Sequence, residues 1–238
     1  MWAISDEDTT IFLFGTFHAL DRDSGWFSNV VRAAFDHSAE LVLETIVPSD
    51  PAELIESLGR HSLAGPVKAG APVIGGGSAP PSVAASSAAM SAGRDVGLSV
   101  DHGADAVLRR AAQSSGKSVD GLESFDFQLA MFAALPAPRA PVASAKGDAG
   151  NILLDMKAAW KRGDSGRFAA VLDQVEQQSP ETYRRMFTER NARWAKWVAR
   201  RMERPGVVFV AVGTGHLIGR DSLQQRLTEQ GYDAVRIS

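Results

Sequence analysis

The tetrapeptide Gly-Thr-X-His occurs twice, as Gly15-Thr16-Phe17-His18 and as Gly213-Thr214-Gly215-His216. Each copy follows a short apolar run, residues 11–14 in the first case and 207–212 in the second. Such a run closed by glycine predicts a buried strand ending in a turn. Each histidine then lies just past a strand's carboxyl end. Two carboxylates share that placement: Glu44 closes the strand predicted at 39–44, and Glu123 follows the one at 117–122. Two neutral imidazoles with one or two carboxylates form a usual first shell for a divalent ion with an open position. Such an ion lowers the pKa of bound water and polarises a carbonyl. His18, Glu44 and His216 are the expected ligands. Glu123 is either a further ligand or a general base. Gly15 and Gly213 are expected to permit sharp turns, and Thr16 and Thr214 to satisfy backbone groups or hold a ligand. The plainer reading is two strand-to-loop turns with incidental histidines. Two copies in matching context favour the site.

These residues need a sheet to bring them together. Helices are predicted at 28–39, 51–58 (capped by Asp50), 104–114, 125–135, 151–162, 168–177, 180–204 and 222–230 (capped by Asp221). A last, edge-like strand is predicted at 234–237. Strands alternating with helices predict an α/β fold with a mostly parallel or mixed central sheet, flanking helices and a helical layer. In open sheets of this kind, ligands bind outside the carboxyl ends of the strands. One domain spanning 1–238 is expected. Within it, Gly, Ala, Ser and Pro fill 24 of the 30 positions from 64 to 93, which predicts a flexible low-complexity segment.

The long helix adds a fifth polar group. Arg190 and Asn191 interrupt the apolar face shared by Phe187, Trp194 and Val198. A buried arginine is costly unless paired, so Arg190 should meet a carboxylate. That pairing is either structural or part of a site where Arg190 orients a carboxylate or stabilises an oxyanion. Glu189 points to the opposite face and should pair with Arg185 or Arg193 in solvent.

Composition narrows the function. A net charge of −3 argues against nucleic-acid binding. The chain has no cysteine, which excludes disulfides, thiolate catalysis and Cys-type zinc sites. No apolar run approaches the ~20 residues of a membrane span. No signal peptide is visible, since Met1-Trp2 runs almost directly into the first strand. Oligomeric state is not legible.

Taken together, the motifs resemble the TraB/GumN family, related to the PrgY proteins and the Tiki metalloproteases. The matching stretches are Phe12-Leu13-Phe14-Gly15-Thr16-Phe17-His18, Leu41-Val42-Leu43-Glu44, Gly121-Leu122-Glu123 with Gln128 after it, Glu189-Arg190-Asn191 followed by Trp194, and Val210-Ala211-Val212-Gly213-Thr214-Gly215-His216-Leu217. The resemblance implies a fold similar to erythromycin esterase and the haem-binding ChaN proteins. It implies a metal-dependent hydrolase site at His18, Glu44, Glu123, Arg190 and His216. For the Tiki branch, it implies metalloprotease action supported by manganese or cobalt; zinc also suits the ligand types. The expected partner is a peptide or other small amide or ester substrate, and the implied location is the periplasm or cell envelope. The alternative is a protein that sequesters a peptide or haem in the same cleft without turnover. The tract at 64–93 departs from the family, whose bacterial members usually carry helical segments there.

Overall fold

The computed structural model describes residues 1–61, 80–136 and 148–237. Its centre is a mixed sheet of six strands. The strands are β1 (Trp2–Ser5), β2 (Thr9–Thr16), β3 (Glu40–Thr45), β4 (Ser118–Glu123), β5 (Gly206–Gly213) and β6 (Val235–Arg236), in the order β4-β3-β5-β2-β1-β6. The four strands that carry the polar residues run parallel to one another. Strands β1 and β6 add to the far side antiparallel. The two Gly-Thr pairs lie side by side, offset by one residue, with Thr16 opposite Gly213 across the β2–β5 pair. Glu123 stands opposite Thr45, the residue after Glu44. All four polar strand ends therefore open on one edge of the sheet.

Both faces of the sheet are covered, which is why β5 reads as a continuous apolar run rather than an alternating one. On one face, Ile11, Leu13, Val208, Val210 and Val212 pack under α9 (Glu189–Met202) and α10 (Leu223–Thr228). On the other, Phe14, Leu41, Leu43, Phe209 and Ala211 pack against α1 (Asn29–His37) and α4 (Ala104–Ser114). Smaller apolar clusters join α2 (Pro51–Arg60), α3 (Pro81–Asp95) and α5 (Phe125–Ala133), and join α6 (Asp148–Lys161) to α7 (Ser165–Gln178). No described helix is long and apolar enough to cross a membrane.

Several expectations need correction. Strand β1 is absent from the sequence reading because its four residues carry no clear periodicity. Residues 81–93 are helical, as part of α3, where the low-complexity tract predicted flexibility. Alanine favours helix, Pro81 sits in its first turn, and Val83 packs against Leu58 and Leu129. Residues 64–79 of that tract lie outside the described residues, as do 137–147 between the helices predicted at 125–135 and 151–162. The helix predicted at 180–204 is instead α8 (Pro180–Tyr183), a π-turn at Arg184–Thr188 and then α9. Asp221 does not cap α10; its side chain takes bonds from Thr188 and Arg226.

Phe209 lies at the middle of the sheet and is fully buried, against Phe14 and Phe35. Phe209→Ala should destabilise the fold by about 3–5 kcal/mol. Urea denaturation checks this, and a loss below about 1 kcal/mol would contradict the packing described.

Candidate functional site

The strand edge presents two connected groups of side chains, one buried and one facing solvent. Arg190 is the centre of the buried group, with a side chain only 2% exposed. Its Nε donates to Glu123 Oε2 at 2.9 Å, and its Nη2 donates to Glu44 Oε2 at 2.8 Å. Its Nη1 donates to His216 Nε2 at 3.1 Å and to the Met186 carbonyl, which the π-turn presents, at 3.4 Å. The guanidinium also lies 4.6 Å from the Trp194 ring centroid. Every side of it is committed, so Arg190 does not face a ligand. It positions the groups around it.

His216 sits on a 3-10 turn just after β5 and is buried. Its Nδ1 donates to Asn191 Oδ1 at 2.7 Å, which fixes the tautomer and leaves Nε2 to accept from Arg190. Burial, reinforced by Arg190, pushes the imidazole down to about 3, so it is neutral. Asn191 Nδ2 donates to the His216 and Asp221 carbonyls, tying the turn to α9. Both oxygens of Glu123 are taken by arginines, since Arg193 Nη2 donates to Oε1 at 3.0 Å. That leaves Glu123 poorly placed for the ligand or base role expected of it. Gln128 Nε2 reaches Glu44 Oε2 at 3.4 Å. Glu189 pairs with Arg184 rather than with Arg185 or Arg193.

The outward group is built on His18, whose side chain is 62% exposed. Its Nδ1 lies 2.8 Å from Asp105 Oδ2, and the Thr16 hydroxyl donates to the other Asp105 oxygen. The Asp105 carboxylate beside it, by its charge and its hydrogen bond, raises the imidazole to about 9. Gly103 makes this pairing possible. A Cβ there would lie 2.0 Å from the His18 carbonyl oxygen, so only glycine lets the start of α4 approach so closely. Asp105 escaped the sequence reading because a carboxylate in a helix's first turn reads as a partner for the helix dipole. The available signal was the preceding Gly103-Ala104 pair.

Glu44 links the two groups. It is 8% exposed, and its Oε1 accepts from the Gly213 N–H at 2.6 Å. Burial opposes its charge, but Arg190, the charged His18 imidazole and the Gly213 N–H outweigh it. They hold the carboxyl well below the usual range. Gly213 and Gly15 are needed for space rather than for turning, because neither has a positive φ. A Cβ on Gly15 would lie 2.9 Å from Thr214 Oγ1, whose hydroxyl donates to the Thr16 carbonyl. A Cβ on Gly213 would lie 2.9 Å from Glu44 Oε1 and 3.0 Å from His18 Nε2. Glycine thus lets an imidazole and a carboxylate close over its Cα, and the cradle of the site lies between those two groups.

That cradle is where a divalent ion would have to sit. His18 Nε2 and Glu44 Oε1 meet there, but a third donor does not join them. His216 Nε2 stands 3.6 Å from Glu44 Oε1, yet its lone pair accepts from Arg190. Among the described residues, no three His, Asp or Glu groups converge to hold a metal ion. The expected set of His18, Glu44 and His216 therefore does not fit an ion in this arrangement.

Two outcomes follow. Arg190→Leu leaves the buried Glu44 carboxylate without its cation and Glu123 with Arg193 alone, and should cost about 3–5 kcal/mol of stability by urea denaturation. Asp105→Asn removes the charge that raises His18. Its titration midpoint by NMR should fall from about 9 toward the ordinary 6.5, and an unchanged midpoint would contradict the pairing.

Comparison with known proteins agrees with the motifs. The model of the TraB/PrgY/gumN family matches residues 1–70 and 67–236. No curated protein and no solved structure matches the chain. With the match running through both Gly-Thr-X-His motifs and through Glu44, Glu123 and Arg190, the chain belongs to the TraB/PrgY/gumN family.

Proposed function

We propose that the protein is a hydrolase of amide or ester bonds, peptides included, with its reacting water in the cradle over Gly213. The observation that carries this reading is the His18–Asp105 pair. Its side chain is largely exposed, a carboxylate orients the imidazole at Nδ1, and Nε2 lies 3.0 Å from the position a Gly213 side chain would fill. An imidazole held this way is a proton carrier. His18 Nε2 takes a proton from water as the water oxygen bonds to the substrate carbonyl carbon. The imidazolium returns that proton to the leaving nitrogen or oxygen as its bond to that carbon breaks. Asp105 keeps the tautomer and stabilises the charged ring. Glu44 accepts the second hydrogen of the water and so aims its oxygen. Arg190 and Gly213 N–H hold Glu44 in place. Arg193, 46% exposed, is the cation of the cluster that a substrate can reach.

A metal-dependent hydrolase is the second reading, supported by the cradle itself. Manganese, cobalt or zinc held there would have His18 and Glu44 as ligands. Completing the set with His216 would require Arg190 to leave its Nε2.

The test is turnover of a peptide library and of 4-nitrophenyl esters, with and without EDTA. Wild-type protein should cleave in EDTA, and His18→Ala should lose about 100-fold or more in kcat. The neutral base form is the minor one at pH 7, so turnover should climb as pH rises toward 9. Activity that vanishes in EDTA and returns with manganese, cobalt or zinc would replace the first reading with the second. Saturable binding with every peptide recovered intact would contradict both and leave a sequestering protein.

A further inference from the structure

Behind the two Gly-Thr turns lies a cavity of about 410 Å³. Gly15 and Thr214 form part of its wall, but His18, Glu44, Glu123, Arg190 and His216 do not line it. Its volume falls within the range of small-molecule pockets. The apolar side is aromatic: Phe14 stacks on Trp26 at 5.5 Å between centroids, and Trp160 stands 5.8 Å from Trp26 and 6.2 Å from Phe14. Trp160 is locked in place because its Nε1 donates to the Gly15 carbonyl at 2.8 Å. Phe168, from α7, completes that side. Rigid rings of this kind bind a flat apolar group with little ordering cost.

The rim carries the opposite character. Lys161, Arg162 and Arg236 line the opening, with Asp164 as the carboxylate among them. Arg162 lies 3.9 Å from Asp164 and is 65% exposed, so this contact neutralises little. Arg236 Nη2 donates to the Gly163 carbonyl at 3.3 Å. Gly163, at φ 66°, ends α6 in the left-handed region, and a Cβ there would lie 3.2 Å from that same nitrogen. The helix end thus brings a third cation to the mouth of the cavity.

We propose that this cavity is a second binding site, for a small molecule with a planar aromatic body and a single carboxylate. The body lies against Trp26, Trp160 and Phe168, and the carboxylate stays at the rim with Lys161, Arg162 and Arg236. The proposal does not depend on the hydrolase reading, and its test uses neither turnover nor metal. Isothermal titration calorimetry of the whole chain with 1-naphthylacetate and with its neutral amide reads both halves of the site. Wild-type protein should bind one equivalent of the acid, more tightly than the amide. The charge reversal Lys161→Glu with Arg162→Glu should weaken the acid about tenfold and leave the amide unchanged. Retained amide binding shows that the variant is folded. No saturable binding by wild type, equal affinity for acid and amide, or an acid affinity untouched by the charge reversal would each overturn the proposal.

Discussion

The site depends on one buried guanidinium. Taking a charge out of water costs several kcal/mol, and Arg190 offsets that cost only by meeting Glu44, Glu123 and His216 together. The constraint works in both directions. Glu44 and Glu123 come from neighbouring parallel strands, and His216 comes from the turn after a third. Their strand ends must lie level for one planar fork to reach all three. Sheet register, the π-turn before α9 and the position of α9 on the sheet are therefore coupled through one side chain. The sum of such contacts gives a rigid floor rather than a reactive surface.

Reactivity lies one layer further out. The floor fixes Glu44, Glu44 accepts from Gly213 N–H, and Gly213 leaves the space that His18 faces. His18 has its own support from Asp105, whose two oxygens meet His18 and Thr16. The two histidines, alike in sequence, consequently differ in chemistry. His216 is neutral, tautomerically fixed and enclosed. His18 is exposed, charged at neutral pH and paired with a carboxylate. Burial and neighbours produce the difference, because the local sequence around the two is nearly the same.

Much of this was legible in the sequence, and the exceptions have physical causes. The apolar runs before Gly15 and Gly213 announced two buried strands, and both exist. The strand-end positions of Glu44 and Glu123 implied convergence, because parallel strands share one carboxyl edge. Arg190 on the apolar face of a helix implied a carboxylate partner, and the structure gives two. What pattern could not give was allocation. Spacing puts His216 beside a carboxylate, but only the three-dimensional arrangement gives its lone pair to Arg190. Nor could pattern find Asp105, whose role depends on Gly103 letting α4 close onto the His18 backbone. Composition misjudged residues 81–93, because alanine with a few apolar anchors forms a helix once there is a surface to pack on.

Burial and the Arg190 guanidinium, which occupies the Nε2 lone pair, keep His216 neutral, while Asn191 Oδ1 holds its proton on Nδ1. Long-range nitrogen–proton NMR of the histidine rings, recorded from pH 5 to pH 8, tests it directly. His216 should be protonated at Nδ1 alone across that whole range. A ring protonated at Nε2, or one that becomes an imidazolium within the range, would contradict it.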